Sequence, residues 1–113
     1  MLEVQNITQD PLQKRILILP DATQITMTMY FVPMQFGWFI TSMQYGNFTL
    51  KGLRISNQPN MLRQWKNLLP FGLACFSDQD REPSQLQDFS SGKSKLYILT
   101  SDEVAEYEAI LSG

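Results

Sequence analysis

The stretch QITMTMYFV, Gln24–Val32, alternates with a period of two. Ile25, Met27, Met29 and Phe31 fall on one side, and Gln24, Thr26, Thr28 and Tyr30 on the other. Successive side chains of a strand point to opposite faces, so this pattern predicts a half-buried β-strand with one apolar face turned inward. Upstream, KRILILP (residues 14–20) reads as a short apolar strand closed by Pro20 and Asp21. Downstream, Pro33 ends the run and PMQFG makes a turn. WFITSMQ (residues 38–44) then returns as a third strand, with Trp38 and Ile40 opposite in phase to Phe39 and Met43. YGN at residues 45–47 is a tight-turn signal, because Gly and Asn tolerate positive φ.

The segment LKGLRISNQPNMLRQWKNL, residues 50–68, changes character twice. Phe48 and Leu50 share one strand face, and Leu53 and Ile55 are out of phase with them. One residue inserted around Lys51-Gly52 brings all four to the same face, and glycine suits such a bulge. Two short strands with a loop between them are the plainer alternative. Pro59 then suits a first helical position, and Leu62, Trp65 and Leu69 share a helical face until Pro70 stops the element. The expectation is a short helix at about residues 59–68, with Trp65 and Leu62 as structural anchors over the end of a bent sheet.

FGLACFS and SKLYILT read as two further strands around the polar loop DQDREPSQLQDFSSGK. The tail TSDEVAEYEAILSG reads as a helix. Thr100 and Glu103 form a capping-box pair, and Val104, Tyr107 and Leu111 lie on one face. The whole predicts a mainly β chain forming one domain over residues 1–113. It would be a small curled antiparallel sheet or barrel of five or six strands, with one short helix before the fifth strand and a C-terminal helix.

The chemistry-bearing residues are sparse. The 113-residue chain has no histidine, which removes the commonest general base and metal ligand near neutral pH. Its one cysteine, Cys75, sits in an apolar run and reads as a core residue. Asp78, Asp80 and Glu82 resemble the start of a calcium loop, but Pro83 and Phe89 stand where the invariant glycine and the bidentate glutamate are required. The expectation is therefore no enzyme, no cofactor and no metal. A net charge of -2 argues against a general nucleic-acid or membrane binder. The N-terminus carries no signal-peptide pattern, and no stretch approaches the length needed to span a bilayer.

The ordered series MYFVP, FGWFI, LKGLRISNQPNMLRQW, FGLACFSDQDREP and LYIL resembles the small baseplate plug proteins of contractile-tailed phages. Gly52-Leu53, Met61-Leu62, Asp78, Pro83 and Leu96-Tyr97 stand at that family's places, while Gln58-Pro59 replaces a second glycine and the C-terminal helix is additional. The resemblance implies a non-enzymatic virion structural protein, a plug or hub component at the distal end of the tail tube. It would be made in the host cytoplasm and present in multiple copies, with tail tube, hub and baseplate proteins as partners. The alternative is a small-barrel module binding single-stranded nucleic acid or peptide, using Lys14, Arg15, Lys51, Arg54, Arg63, Lys66 and neighbouring aromatics. Apolar residues on both faces of the second and third strands point to an interface around Tyr30, Trp38 and Phe39. The acidic loop bearing Asp78, Asp80 and Glu82 is expected to order on contact. The competing expectation is that the C-terminal helix covers this face through Tyr107 and Leu111.

Overall fold

The computed structural model describes residues 1–19, 22–78 and 81–112. The strands are β1 (Leu2–Glu3), β2 (Leu12–Ile18), β3 (Gln24–Val32), β4 (Gly37–Tyr45), β5 (Phe48–Leu50), β6 (Leu53–Arg54), β7 (Phe71–Ser77) and β8 (Ser94–Thr100); helix α1 (Ser101–Ser112) follows. They form two antiparallel sheets, ordered β1-β8-β7 and β2-β3-β4-β5, with β6 also on β4. The chain is thus mainly β with one C-terminal helix, and its two sheets do not close into a barrel.

The alternation in β3 does what its period requires. Ile25, Met27 and Met29 are fully buried, together with Trp38, Ile40 and Met43 of β4. Phe71, Leu73, Cys75, Leu96 and Ile98 of the other sheet complete the same apolar core. The two sheets therefore pack their inner faces together, as apolar faces must to leave water.

Trp38, Ile40 and Met43 cannot share a face on a regular strand. The ladder supplies the reason: Ile40 pairs with Met29 but Ser42 pairs with Thr28, so Thr41 is an extra residue on β4. This bulge reverses the phase and turns Met43 inward with Trp38 and Ile40, leaving Phe39 on the outer side. Lys51-Gly52 crosses opposite the bulge. Leu50 faces Met43 and Leu53 faces Ile40, three residues apart on each strand. No residue is inserted there relative to β4, so of the two readings of Gly52 the structure has the two short strands with a break, not the bulge. The break still brings Phe48, Leu50, Leu53 and Ile55 onto the core side. Gly52 has φ +74, a conformation that favours glycine.

The short helix expected at about residues 59–68 is corrected to a single 3-10 turn, Arg63–Trp65. The backbone ahead of it is committed elsewhere. Met61 N–H donates to Leu73 O (2.7 Å), Cys75 N–H donates to Gln58 O (3.0 Å), and Ser77 N–H donates to Asn57 Oδ1 (2.9 Å). Residues 57–61 thus cover the outer edge of β7, and a helix begun at Pro59 would leave that edge bare. Leu62 is fully buried, as expected of an anchor. Trp65 is only half-buried and meets Phe48 edge-on at 6.4 Å, so it props the core from its rim.

Helix α1 starts directly from β8. Thr100 N–H donates to Glu103 Oε1 (3.0 Å), and Glu103 N–H donates to Thr100 Oγ1 (3.3 Å), which is the reciprocal capping box. With no connecting loop, the helix must lie on the sheet that it leaves. Val104 packs with Ala74, Leu99 and Tyr97, on the opposite side of β7 and β8 from the main core. One turn further along the same side, Glu108 ties the helix down, accepting from Arg63 Nε (2.8 Å) and Lys66 Nζ (2.6 Å). The helix does not cover the outer face of β3 and β4, so that competing expectation is overturned.

The Glu108 contacts make the helix anchorage pH-dependent. Hydrogen bonds, first from Arg63 and then from Lys66, hold the carboxyl down to about 2, against its ordinary 4.5. A lowered folded-state value stabilises the protein above the ordinary pKa, and the stabilisation fades as pH falls toward 2. The melting temperatures of the wild type and Glu108→Gln should therefore differ at pH 6 and converge between 4.5 and 2. Parallel profiles across that range would refute the assignment.

Candidate protein-contact surface

The outer face of the β2–β6 sheet is built by the register. Leu12 pairs with Tyr30, Tyr30 with Phe39 and Phe39 with Arg54, so one row crosses four strands. Tyr30 is 40% exposed and Phe39 is half-buried. Phe39 is shielded by Arg54, whose guanidinium carbon stands 5.4 Å from the ring centroid, a cation–π contact.

Arg54 organises one end of this face. Its Nε donates to Glu82 Oε2 at 3.0 Å, and its terminal nitrogens donate to Gln35 O and Phe36 O at 3.3 Å. Gly37 gives it space, because a Cβ there would lie 2.7 Å from Arg54 Nη2. The turn held by these bonds, Pro33–Gln35, presents Met34 at 91% exposure and Phe36 at 68%. Phe36 has φ 48, which a bulky side chain adopts only when its surroundings over-determine it. Two large apolar side chains are thus held exposed at the β3–β4 turn, which Arg54 ties to this sheet, at some conformational cost.

Of the expected contact residues, Tyr30, Phe39 and Glu82 are brought to this face. Trp38 is corrected: it is fully buried, 5.7 Å from Phe89 and 5.5 Å from Phe31 between ring centroids. Its phase on β4 forces this, since it lies on the inner side with Ile40. Asp78 is exposed just beyond β7, and its N–H donates to Lys93 O at 2.8 Å. Asp80 lies outside the described residues. Sequence reasoning missed Leu12, Met34, Phe36 and Arg54 as parts of the surface. The FGW sequence around the turn was the available signal, read there only as a chain reversal.

The loop between β7 and β8 is held by the chain's own groups from residue 84 onward. Trp38 Nε1–H donates to Gln85 O (3.1 Å), and Phe89 enters the core. Asp88, 1% exposed, accepts from the N–H groups of Ser84 (2.8 Å) and Gln85 (2.9 Å), with Arg81 Nη2 3.6 Å from its other oxygen. This part of the loop is thus placed by contacts within the chain, while its ordering on contact belongs to the proposed assembly.

Cys75 is fully buried on β7 and has no disulfide partner. Burial pushes its thiol up to about 11, so the reactive thiolate is scarce at neutral pH. An aromatic disulfide reagent at pH 8 should leave the folded chain unmodified and label it within minutes in denaturant. Rapid labelling of the folded protein would contradict this burial. Among the described residues, no cluster of three metal-ligating side chains forms, and no helix is long and apolar enough to cross a membrane.

A scan against protein-family models matches none, and a search of curated proteins also returns no match.

Proposed function

We propose that this chain is a non-catalytic structural subunit of a contractile phage tail. It would be a plug or hub component at the distal end of the tail tube, contacting tube, hub and baseplate proteins in several copies and residing in the virion. The observation that carries the reading is the exposed outer sheet face with Tyr30 and Phe39 beside the Arg54–Glu82 pair, together with the exposed Met34 and Phe36 of the β3–β4 turn. Contact surfaces combine large apolar anchors with a charged rim in this way. The ordered resemblance of residues 25–99 to baseplate plug proteins supplies the kind of assembly. With no histidine in the chain, the reading assigns no side chain to acid–base work.

The double variant Tyr30→Ser with Phe39→Ser tests the surface. Both side chains lie outside the fully buried core, so the circular dichroism spectrum should be unchanged. Incorporation into purified baseplates, read by quantitative mass spectrometry, should drop by about tenfold or more. Normal incorporation with an intact fold would refute this surface. A purified virion containing none of the wild-type protein would refute the whole reading.

A further inference from the structure

We infer that the groove between helix α1 and the outer side of β7 and β8 docks a partner protein's segment in which a lysine or arginine stands among apolar side chains. The alternation of β7 makes the groove. Phe71, Leu73 and Cys75 point into the main core, so Ala74 and Phe76 point to the opposite side. Val104 covers Ala74 and Leu99 there, while Phe76 stays 43% exposed beside Tyr97, with 5.8 Å between ring centroids. Phe76 and Leu99 of the sheet line a groove of about 260 Å³ with Tyr107 and Ile110 of α1 and with Met1 and Pro59. Ile110 on its wall is 76% exposed.

Charge selects the occupant. Helix α1 carries Asp102, Glu103, Glu106 and Glu108 and no basic side chain. Two of these carboxylates are matched: Glu103 pairs with the Met1 ammonium, and Glu108 with Arg63 and Lys66. Asp102 and Glu106 are exposed and have no hydrogen-bond or ion-pair partner among the described residues. They stand four residues apart on one side of the helix, and like charges at that spacing disfavour each other. Glu106 itself lines the groove, and no described side chain lining it is basic. Lys95, which pairs opposite Phe76, is not among the lining residues.

A lysine or arginine meets both demands. Its methylene stem lies on apolar walls while its charge reaches the rim at Glu106 and Asp102. Apolar neighbours in the same segment leave water against Phe76 and Ile110. The same charges reject other occupants. A second copy's α1 would bring carboxylates against carboxylates, and an anionic lipid surface would be repelled likewise. This groove shares no residue with the outer face of the β2–β6 sheet. It is a second contact surface and stands apart from the tail reading.

Fluorescence anisotropy tests it with a fluorescein-labelled peptide, Gly-Leu-Lys-Ala-Leu-Arg-Leu-Ala-Gly, and with the same peptide carrying glutamate in place of its lysine and arginine. At low salt the purified chain should bind the basic peptide about tenfold more tightly than the acidic one. Glu106→Gln should weaken that binding by about threefold to fivefold, the scale of one exposed ion pair. Glu106→Lys should remove the preference between the peptides, and Ile110→Ser should weaken both by about fivefold. These side chains are exposed, so the thermal transitions should persist. Phe36→Ser, in the β3–β4 turn, should bind as the wild type does. Equal binding of the two peptides, no binding of the basic one, or unchanged binding by folded Glu106→Gln and Ile110→Ser would overturn the inference. Self-association of the wild type in sedimentation that Glu106→Lys or Ile110→Ser abolishes would also overturn it, because the occupant would then be a second copy. Incorporation into virions, which tests the plug reading, is independent of all these outcomes.

Discussion

Trp38→Ala is expected to destabilise the fold by about 3–5 kcal/mol, the largest effect of any single truncation considered. Trp38 is fully buried between Phe31 and Phe89, on the inner side of β4, an interior strand of its sheet. Truncation leaves a cavity that neighbours on β3 and in the β7–β8 loop would have to refill. It also removes the indole N–H that Gln85 O accepts, which helps to hold the β7–β8 loop. Chemical denaturation of the wild type, Trp38→Ala and Trp38→Phe measures this. The phenylalanine variant should recover part of the loss, since it keeps a ring and drops the hydrogen bond. A loss below about 1 kcal/mol for the alanine variant would mean that the ring is not packed as described.

Asn60→Ala is expected to cost about 2–4 kcal/mol, because one buried carbonyl oxygen serves two backbone donors. Asn60 Oδ1 accepts from Leu62 N–H at 3.0 Å and from Leu73 N–H at 3.2 Å. Both donors lie in buried surroundings, so removing the oxygen leaves them without a partner. Gly72 is part of the same device: a Cβ there would stand 2.8 Å from Asn60 Oδ1. Gly72→Ala should therefore destabilise as well, by displacing the amide. The two changes should be strongly non-additive, since removing the amide removes what the new methyl group meets. A double-mutant cycle by urea denaturation checks this; additive losses would separate the two residues.

What was legible in the chain rests on local rules. The alternation of β3 depends on neighbours one and two residues away, so the buried set Ile25, Met27 and Met29 could be read directly. The capping box at Thr100 and Glu103 is equally local, and both of its hydrogen bonds are present. Glycine at residue 52 was legible as a backbone break but not as to its kind, because the kind depends on the register against β4.

The expected helix at about residues 59–68 was a reasonable reading of periodicity, and a non-local demand overrode it. The edge of β7 takes the backbone of residues 57–61, leaving only one 3-10 turn at Arg63–Trp65. The placement of Trp38 failed for a similar reason. Its strand is apolar on both faces, and only the Thr41 bulge and the partner sheet decide which face is inner. The proposed contact surface was half legible: Tyr30 and Phe39 lie on the outer sheet face, while Arg54 and Phe36 join through pairing across strands and a turn with positive φ.

By itself, the sequence determined a mainly β chain, its principal strands, the C-terminal helix with its cap, and the scarcity of acid–base side chains. Those follow from periodicity, capping and composition, which act within a few residues. Only the tertiary structure decided that there are two sheets, which strand edges are covered, which aromatic residues are core, and which face is left open. Those depend on hydrogen-bond partners and packing neighbours far apart in the chain, and no local pattern encodes them.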